Sequence, residues 1–209
     1  MSTLLHISAS PRREASQSLR IAERFLDTYR QTHPDDTVLG KDLWHGTLPH
    51  VGPAAAGATM TIFGGGTPEG AQAAAWQAAH AAFARFDAAD RLLFSVPMWN
   101  AGIPYILKQF IDVVSQPATL FGIDPATGYI PLLAGRGKRA AVIYTSAVYG
   151  PALGVDFGRD FQSTYVDDWL RWTGIDDVNA IRYHPTLTGD PVQAMLDAQA
   201  AARDTAATF

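Results

Sequence analysis

The sequence predicts an α/β domain: an open sheet of five parallel strands covered by helices on both faces. Two observations carry this. Short apolar segments alternate with helix-patterned ones along the chain, five of each, and that alternation builds parallel sheets through right-handed crossovers. Two of the segments, "DRLLFSV" (90–96) and "RAAVIYTS" (139–146), are almost continuously apolar, as strands buried on both faces are.

Thr3 to Ser8 reads as the first strand. After a serine-rich loop, Ala22, Phe25, Leu26 and Tyr29 fall at helical spacing behind Ser18, a candidate N-cap. Thr37 to Leu43 is a second, weaker strand, and residues 44 to 68, with six glycines and three prolines, read as a long irregular segment. Ala71 to Phe86 is alanine-rich and helical, and the third strand, 90–96, follows. "PMWNAGIP" breaks that strand, and "YILKQFIDVV" is a helix opened by Pro104. Residues 116 to 137 read as a second long loop before the fourth strand, 139–146. Asp156 to Trp172 looks helical, Asp177 to Tyr183 makes the fifth strand, and Pro191 to Ala206 closes the chain as a helix.

At 209 residues, one domain is expected, spanning 1–209. Apolar residues at 47% and charged residues at 17% fit a globular chain with a substantial core. A net charge of -4, with no run of more than two consecutive basic residues, argues against nucleic acid or an anionic membrane as partner. There is no cysteine, which excludes disulfides and thiolate chemistry and fits a cytoplasmic location. No apolar stretch approaches the roughly 20 residues of a membrane span, and the N-terminal residues lack the order of a signal peptide. The six histidines show no metal-ligand spacing, so no metal site is expected.

Ligands of such a sheet bind beyond the carboxyl ends of the strands, where the winding reverses. The segments "SASPRREASQS", "PMWNAGIP" and "TSAVYG" follow strands one, three and four, and so should meet at that edge. The first offers the Ser10, Ser16 and Ser18 hydroxyls together with helix-start N–H groups, which suit a phosphate monoester; a plain helix cap at Ser16 or Ser18 is the alternative. The second places Met98, Trp99 and Asn100 where a planar heteroaromatic ring would sit, or where Met98 and Trp99 would only pack into core. Gly135 to Ala140 matches a dinucleotide-binding pattern but precedes a strand, and is set aside.

In order, a strand followed by S-x-S-x5-S-x-S, then P-M-W-N-x-G-I-P-x-x-L-K-x-x-I-D, then a strand ending Thr-Ser with Tyr-Gly nearby, the chain resembles the FMN-dependent NADH-azoreductases, which are flavodoxin-like quinone and azo reductases. The resemblance runs over nearly the whole chain. It implies a flavodoxin-like fold with strand order 2-1-3-4-5, bound FMN, NADH or NADPH as electron donor, and a homodimer with its active sites at the subunit interface. Ser10, Ser16, Gln17 and Ser18 would hold the FMN phosphate and ribityl chain; Pro97, Met98, Trp99, Asn100 and Ala101 would line the isoalloxazine; Ser146 and Ala147 would touch its pyrimidine edge. The loop arginines are read as surface. Tyr149 and His184, both at the same edge, are the candidate catalytic side chains for a substrate or proton relay.

One departure stands out. The family usually follows the strand-four serine with Gly-Gly, whereas this chain reads Ser146-Ala147-Val148-Tyr149-Gly150, so the loop must take another path or be shortened. The expected activity is reduction of quinones, azo compounds or related planar acceptors. Alternatives are an enzyme of the same fold for one pathway metabolite, a flavodoxin-type electron carrier, or a flavin-free interaction module.

Overall fold

In the computed structural model of the chain, which describes residues 1–187 and 189–209, five strands form one parallel sheet. They are β1 (Thr3–Ser8), β2 (Thr37–Asp42), β3 (Arg91–Pro97), β6 (Arg139–Thr145) and β7 (Asp177–Tyr183). Two more, β4 (Phe121–Asp124) and β5 (Gly128–Pro131), pair antiparallel in a hairpin outside it. The sheet runs β2-β1-β3-β6-β7, and the hairpin accounts for the numbers skipped relative to the expected 2-1-3-4-5. The chain winds outward from β1 to β2, then crosses back to β3, so the winding reverses between β1 and β3.

Side chains alternate across the sheet and give it two cores. On one face Leu4, Leu93, Ala141, Ile143 and Ile181 pack under α1 (Gln17–Thr32) and α6 (Pro191–Thr208). The Ala22, Phe25, Leu26 and Tyr29 stripe of α1 is buried there, and Ala198, Ala202 and Ala206 of α6, spaced one turn apart, let the two helices approach closely. On the other face Leu5, Ile7, Leu92, Phe94, Val96 and Val142 pack under α3 (Gly70–Asp87), α4 (Tyr105–Val114) and α5 (Ser163–Thr173). Leu92 to Val96 are all fully buried, as their apolar run requires.

Three segments differ from expectation. Within residues 44–68, Pro53–Phe63 forms the helix α2: Pro53 supplies a preset φ at its first position, three alanines follow, and Gly64, Gly65 (φ 75°) and Gly66 carry the chain out. The loop read over 116–137 contains the β4–β5 hairpin, whose turn uses Gly128 at φ 91°. Helix α5 begins at Ser163 rather than Asp156. Residues Val155–Phe157 make a single 3-10 turn that ends at Gly158 (φ 100°), and the Asp160 carboxylate then accepts the N–H groups of Gln162 and Ser163 to start the helix proper.

Candidate functional site

Four loops close on one another at the carboxyl edge of the sheet. In the first, the chain leaves β1 through Ala9, whose N–H donates to Ser95 O at 3.0 Å, and turns at Pro11 and Arg12. Ser16, not Ser18, is the N-cap of α1: its Oγ accepts from Leu19 N at 3.3 Å. The chain reaches the helix from a 3-10 turn, Arg13–Ala15, and that turn decides which serine stands at the boundary. The Ser16 and Ser18 hydroxyls lie 3.1 Å apart, both buried, and Ser10 is buried beside them. The helix-start amides of Gln17 and Ser18 have no partner within the helix by geometry, and they sit where its dipole is positive.

The second loop is pinned to the next strand by Met98 N, which donates to Thr145 O at 2.7 Å. Trp99 and Gly102 then exchange two hydrogen bonds of 2.9 Å around Asn100 (φ 49°) and Ala101 (φ 66°), a tight turn with both central residues left-handed. Asparagine tolerates this conformation, whereas alanine gives up about 1 kcal/mol in it. Phe161 N holds the Ala101 carbonyl at 3.0 Å, so the strained turn is clamped from the segment before α5.

The third loop leaves β6 at Ser146, whose Oγ donates to Tyr149 O at 2.6 Å. Thr186 N donates to Ser146 O (3.0 Å) and Ala147 O (3.1 Å), and Leu187 N donates to Ala147 O (2.9 Å), so the fourth loop, after β7, braces the third. Neither Ala147 nor Val148 is among the residues at positive φ, which means the path avoids the left-handed turns that a Gly-Gly pair allows. Beneath both loops, the buried Gln162 side chain donates to Val96 O (2.8 Å) and Thr145 O (3.4 Å), which ties the segment before α5 to the ends of β3 and β6.

The result is a cavity of about 140 Å³ lined by Ser10, Arg12, Ser16 and Gln17, by Pro97, Met98 and Trp99, by Thr145, Ser146 and Ala147, and by Thr186. Ser18 sits behind Ser16, and Asn100 and Ala101 form the turn at the rim, so these three are close to the cavity without lining it. Neither Tyr149 nor His184 is among the residues lining the cavity; their ring centroids lie 5.5 Å apart. Both His184 ring nitrogens are buried without a hydrogen-bond partner among the described residues, and burial, followed by the Arg182 charge, holds its pKa below the usual histidine value.

Several contributors escape the sequence. Arg12, read as loop surface, is exposed as expected and also lines the cavity. Thr186 and Gln162 arrive from segments with no motif of their own. Trp44 donates its indole N–H to Ala9 O at 3.0 Å and packs against Trp99 (5.8 Å) and Tyr105 (5.3 Å), an aromatic cluster that only tertiary contact assembles.

A parallel sheet of this order with its cavity at the winding reversal defines the class: the chain belongs to the flavodoxin-like fold family, whose model matches residues 2–207. Within that class its relatives are oxidoreductases. The chain is 42% identical over 202 residues to an FMN-dependent NADH:quinone oxidoreductase of Ruegeria pomeroyi, covering 97% of this chain and 98% of the relative. It is 43% identical over 195 residues to FMN-dependent NADH:quinone oxidoreductase 2 of Pseudomonas syringae pv. tomato, covering 91% and 90%. Among solved structures, an azoreductase from Bacillus anthracis str. Sterne superimposes over the whole of both chains with a TM-score of 0.87 at 26% identity.

Proposed function

We propose that this chain is an FMN-dependent oxidoreductase that carries electrons from NADH to quinones, azo compounds and related planar aromatic acceptors. The observation that carries the reading is the convergence of buried hydroxyls, a helix N-terminus and a flat apolar wall on one cavity at the sheet edge. Those donors suit a phosphate: Ser10, Arg12, Ser16 and the start of α1 line one cavity, and hydroxyls, helix-start amides and a guanidinium all favour an anion there. The curated relatives named above are FMN-dependent NADH:quinone oxidoreductases, which supports the same assignment.

In this reading Ser10, Arg12, Ser16, Gln17 and Ser18 hold the phosphate and ribityl chain. Pro97, Met98, Trp99, Asn100 and Ala101 position the ring, and Ser146 and Ala147 meet its pyrimidine edge. The chemistry FMN supplies when bound is acceptance of a hydride from NADH and delivery of two electrons, with protons, to the acceptor. The chain's own part is to bind, orient and exclude water. Tyr149 offers a phenol to an acceptor at the rim, and His184, kept neutral by burial, accepts or relays a proton rather than carrying a fixed charge.

The cavity itself is smaller than the roughly 300 Å³ at the low end for small-molecule sites, so a mononucleotide there needs cover from outside it. A second copy of the chain can supply that cover. Phe63 on α2, Tyr129 and Ile130 on the hairpin, and Phe161 beside the Ala101 turn are large exposed apolar groups of the kind an interface buries. We therefore read the protein as a homodimer of one-domain subunits, acting in the cytoplasm. Among the described residues no helix is long and apolar enough to cross a membrane.

The test is the visible spectrum of the purified protein supplemented with FMN, followed by anaerobic addition of NADH. Bound flavin bands that bleach support the proposal; failure to bind FMN refutes it. The braced 146–150 loop favours one second reading, an enzyme of this fold restricted to a single metabolite. Poor turnover of simple quinones beside rapid turnover of one acceptor would favour it.

A further inference from the structure

A larger cavity lies away from the strand-end site. It has a volume of about 540 Å³ and shares no lining residue with the smaller cavity described above. It lies where α3 leans over the outer strand β2, with Leu5, Phe86 and Phe110 from the core as its floor and alanines of α3 along one wall. The opposite wall is β2 with the segment 47–49. Two hydrogen bonds hold that segment in place: Lys41 Nζ donates to Thr47 Oγ1, and Gln109 Nε2 donates to Pro49 O at 2.9 Å. The wall is thus built into the fold.

Against this apolar lining stand two cations on opposing walls, Lys41 on β2 and Arg85 on α3. No described acidic residue lines the space. The neighbouring Asp42 points to the other face of the sheet, as alternation along a strand dictates, where its carboxylate accepts Trp44 N at 2.9 Å. Burial, and after it the Arg85 charge, hold the Lys41 ammonium below the usual lysine range against the smaller opposing effect of the Asp42 carboxylate. Two like charges lining one apolar space, with no described carboxylate in its lining, leave a place for one anion. The volume falls within the range of small-molecule sites.

We propose that this cavity is a second ligand site, for an amphipathic anion with a single carboxylate or sulfonate head and an apolar body. The head group sits between Lys41 and Arg85, and the body fills the space over Phe86 and Phe110. The inference does not depend on the FMN assignment, because none of these residues touches the strand-end cavity.

The probe is sodium decanoate, titrated calorimetrically into the purified protein supplemented with FMN, with decan-1-ol as its neutral counterpart. Decanoate is expected to bind once per chain without changing the flavin spectrum, and decan-1-ol more weakly by about tenfold, the loss that goes with removing a charged hydrogen-bond acceptor. Lys41→Met combined with Arg85→Met is expected to weaken decanoate by about tenfold or more. Ala81→Trp, at an exposed lining position, fills the space while keeping both cations and is expected to abolish binding. Absence of binding, equal affinity for the alcohol, unchanged affinity in the double variant, or binding retained in Ala81→Trp each overturns the proposal. The two variants change different residues, so misfolding of one leaves the other decisive.

Discussion

Ser16 and Ser18 lie two residues apart and touch, yet the structure gives them separable jobs. The Ser16 hydroxyl caps α1 through Leu19 N at 3.3 Å, whereas Ser18 is already inside the helix and contacts Ser16 Oγ at 3.1 Å. Removing a capping hydroxyl costs about 1 kcal/mol. For a chain of this length that lowers Tm by roughly 2–4 °C. If both hydroxyls also serve the FMN phosphate, each loses a hydrogen bond to a charged group, about 1.5–3 kcal/mol, which weakens FMN by roughly 10- to 150-fold. Ser16→Ala, which loses both the cap and the Ser18 contact, should therefore lower the Tm of FMN-free protein more than Ser18→Ala, which loses only that contact, while both lower the affinity for FMN. Thermal melts of FMN-free protein and quenching of flavin fluorescence on titration read the two effects. If Ser18→Ala lowers Tm as much as Ser16→Ala does, the cap is misassigned. If FMN affinity stays within about twofold in both, the phosphate is not bound here.

Three further outcomes are expected. Gln162→Leu removes the buried amide that donates to the Val96 and Thr145 carbonyls beneath the cavity and should cost about 1 kcal/mol in urea unfolding, with loss of bound flavin; an unchanged midpoint would remove Gln162 from the floor of the site. His6, hydrogen-bonded to Ser95 Oγ at 2.8 Å, has its pKa lowered from 6.5 to about 4 by burial and then by the Arg30 charge. Above 6.5 it is neutral folded or unfolded; below 6.5 only the unfolded chain takes up the proton, so stability falls until the pH reaches about 4, with about 2 kcal/mol lost by pH ~5. Urea midpoints across that window should show the slope, and His6→Gln should flatten it. Finally, Tyr149→Phe should change turnover of several acceptors more than it changes flavin content, and an identical acceptor profile would make Tyr149 a packing residue.

Much of the fold could be read from the chain because local pattern and burial coincide in it. "DRLLFSV" and "RAAVIYTS" are apolar on both sides because β3 and β6 lie inside the sheet, and the α1 stripe repeats at the period of the face it buries. Patterns failed where composition and tertiary support disagree. Residues 53–63 carry a glycine among alanines and little polar contrast, and they form a helix because α3 packs along them. The hairpin at 121–131 has strands of four residues each, too short for alternation to show. In 156–162, helix-forming residues are overridden by Gly158 and by the Asp160 carboxylate, which starts the helix later.

Sequence by itself determined the alternation of the five sheet strands with α1, α3, α4, α5 and α6, the buried stripe of α1, and the three loops that meet at one edge, because period and connectivity are local and topological properties. Only the tertiary structure decided which serine caps α1, that Arg12 lines the strand-end cavity, that Gln162 and Thr186 brace loops far from them in the chain, and that the Ala147 loop does without left-handed turns. It also placed Lys41 opposite Arg85, 44 positions apart by their numbers, across an apolar cavity. The physical reason is common to all of these. A hydrogen bond or charge pair between distant segments depends on how two elements dock, and docking is set by side-chain volumes summed over both cores, which no single stretch of sequence contains.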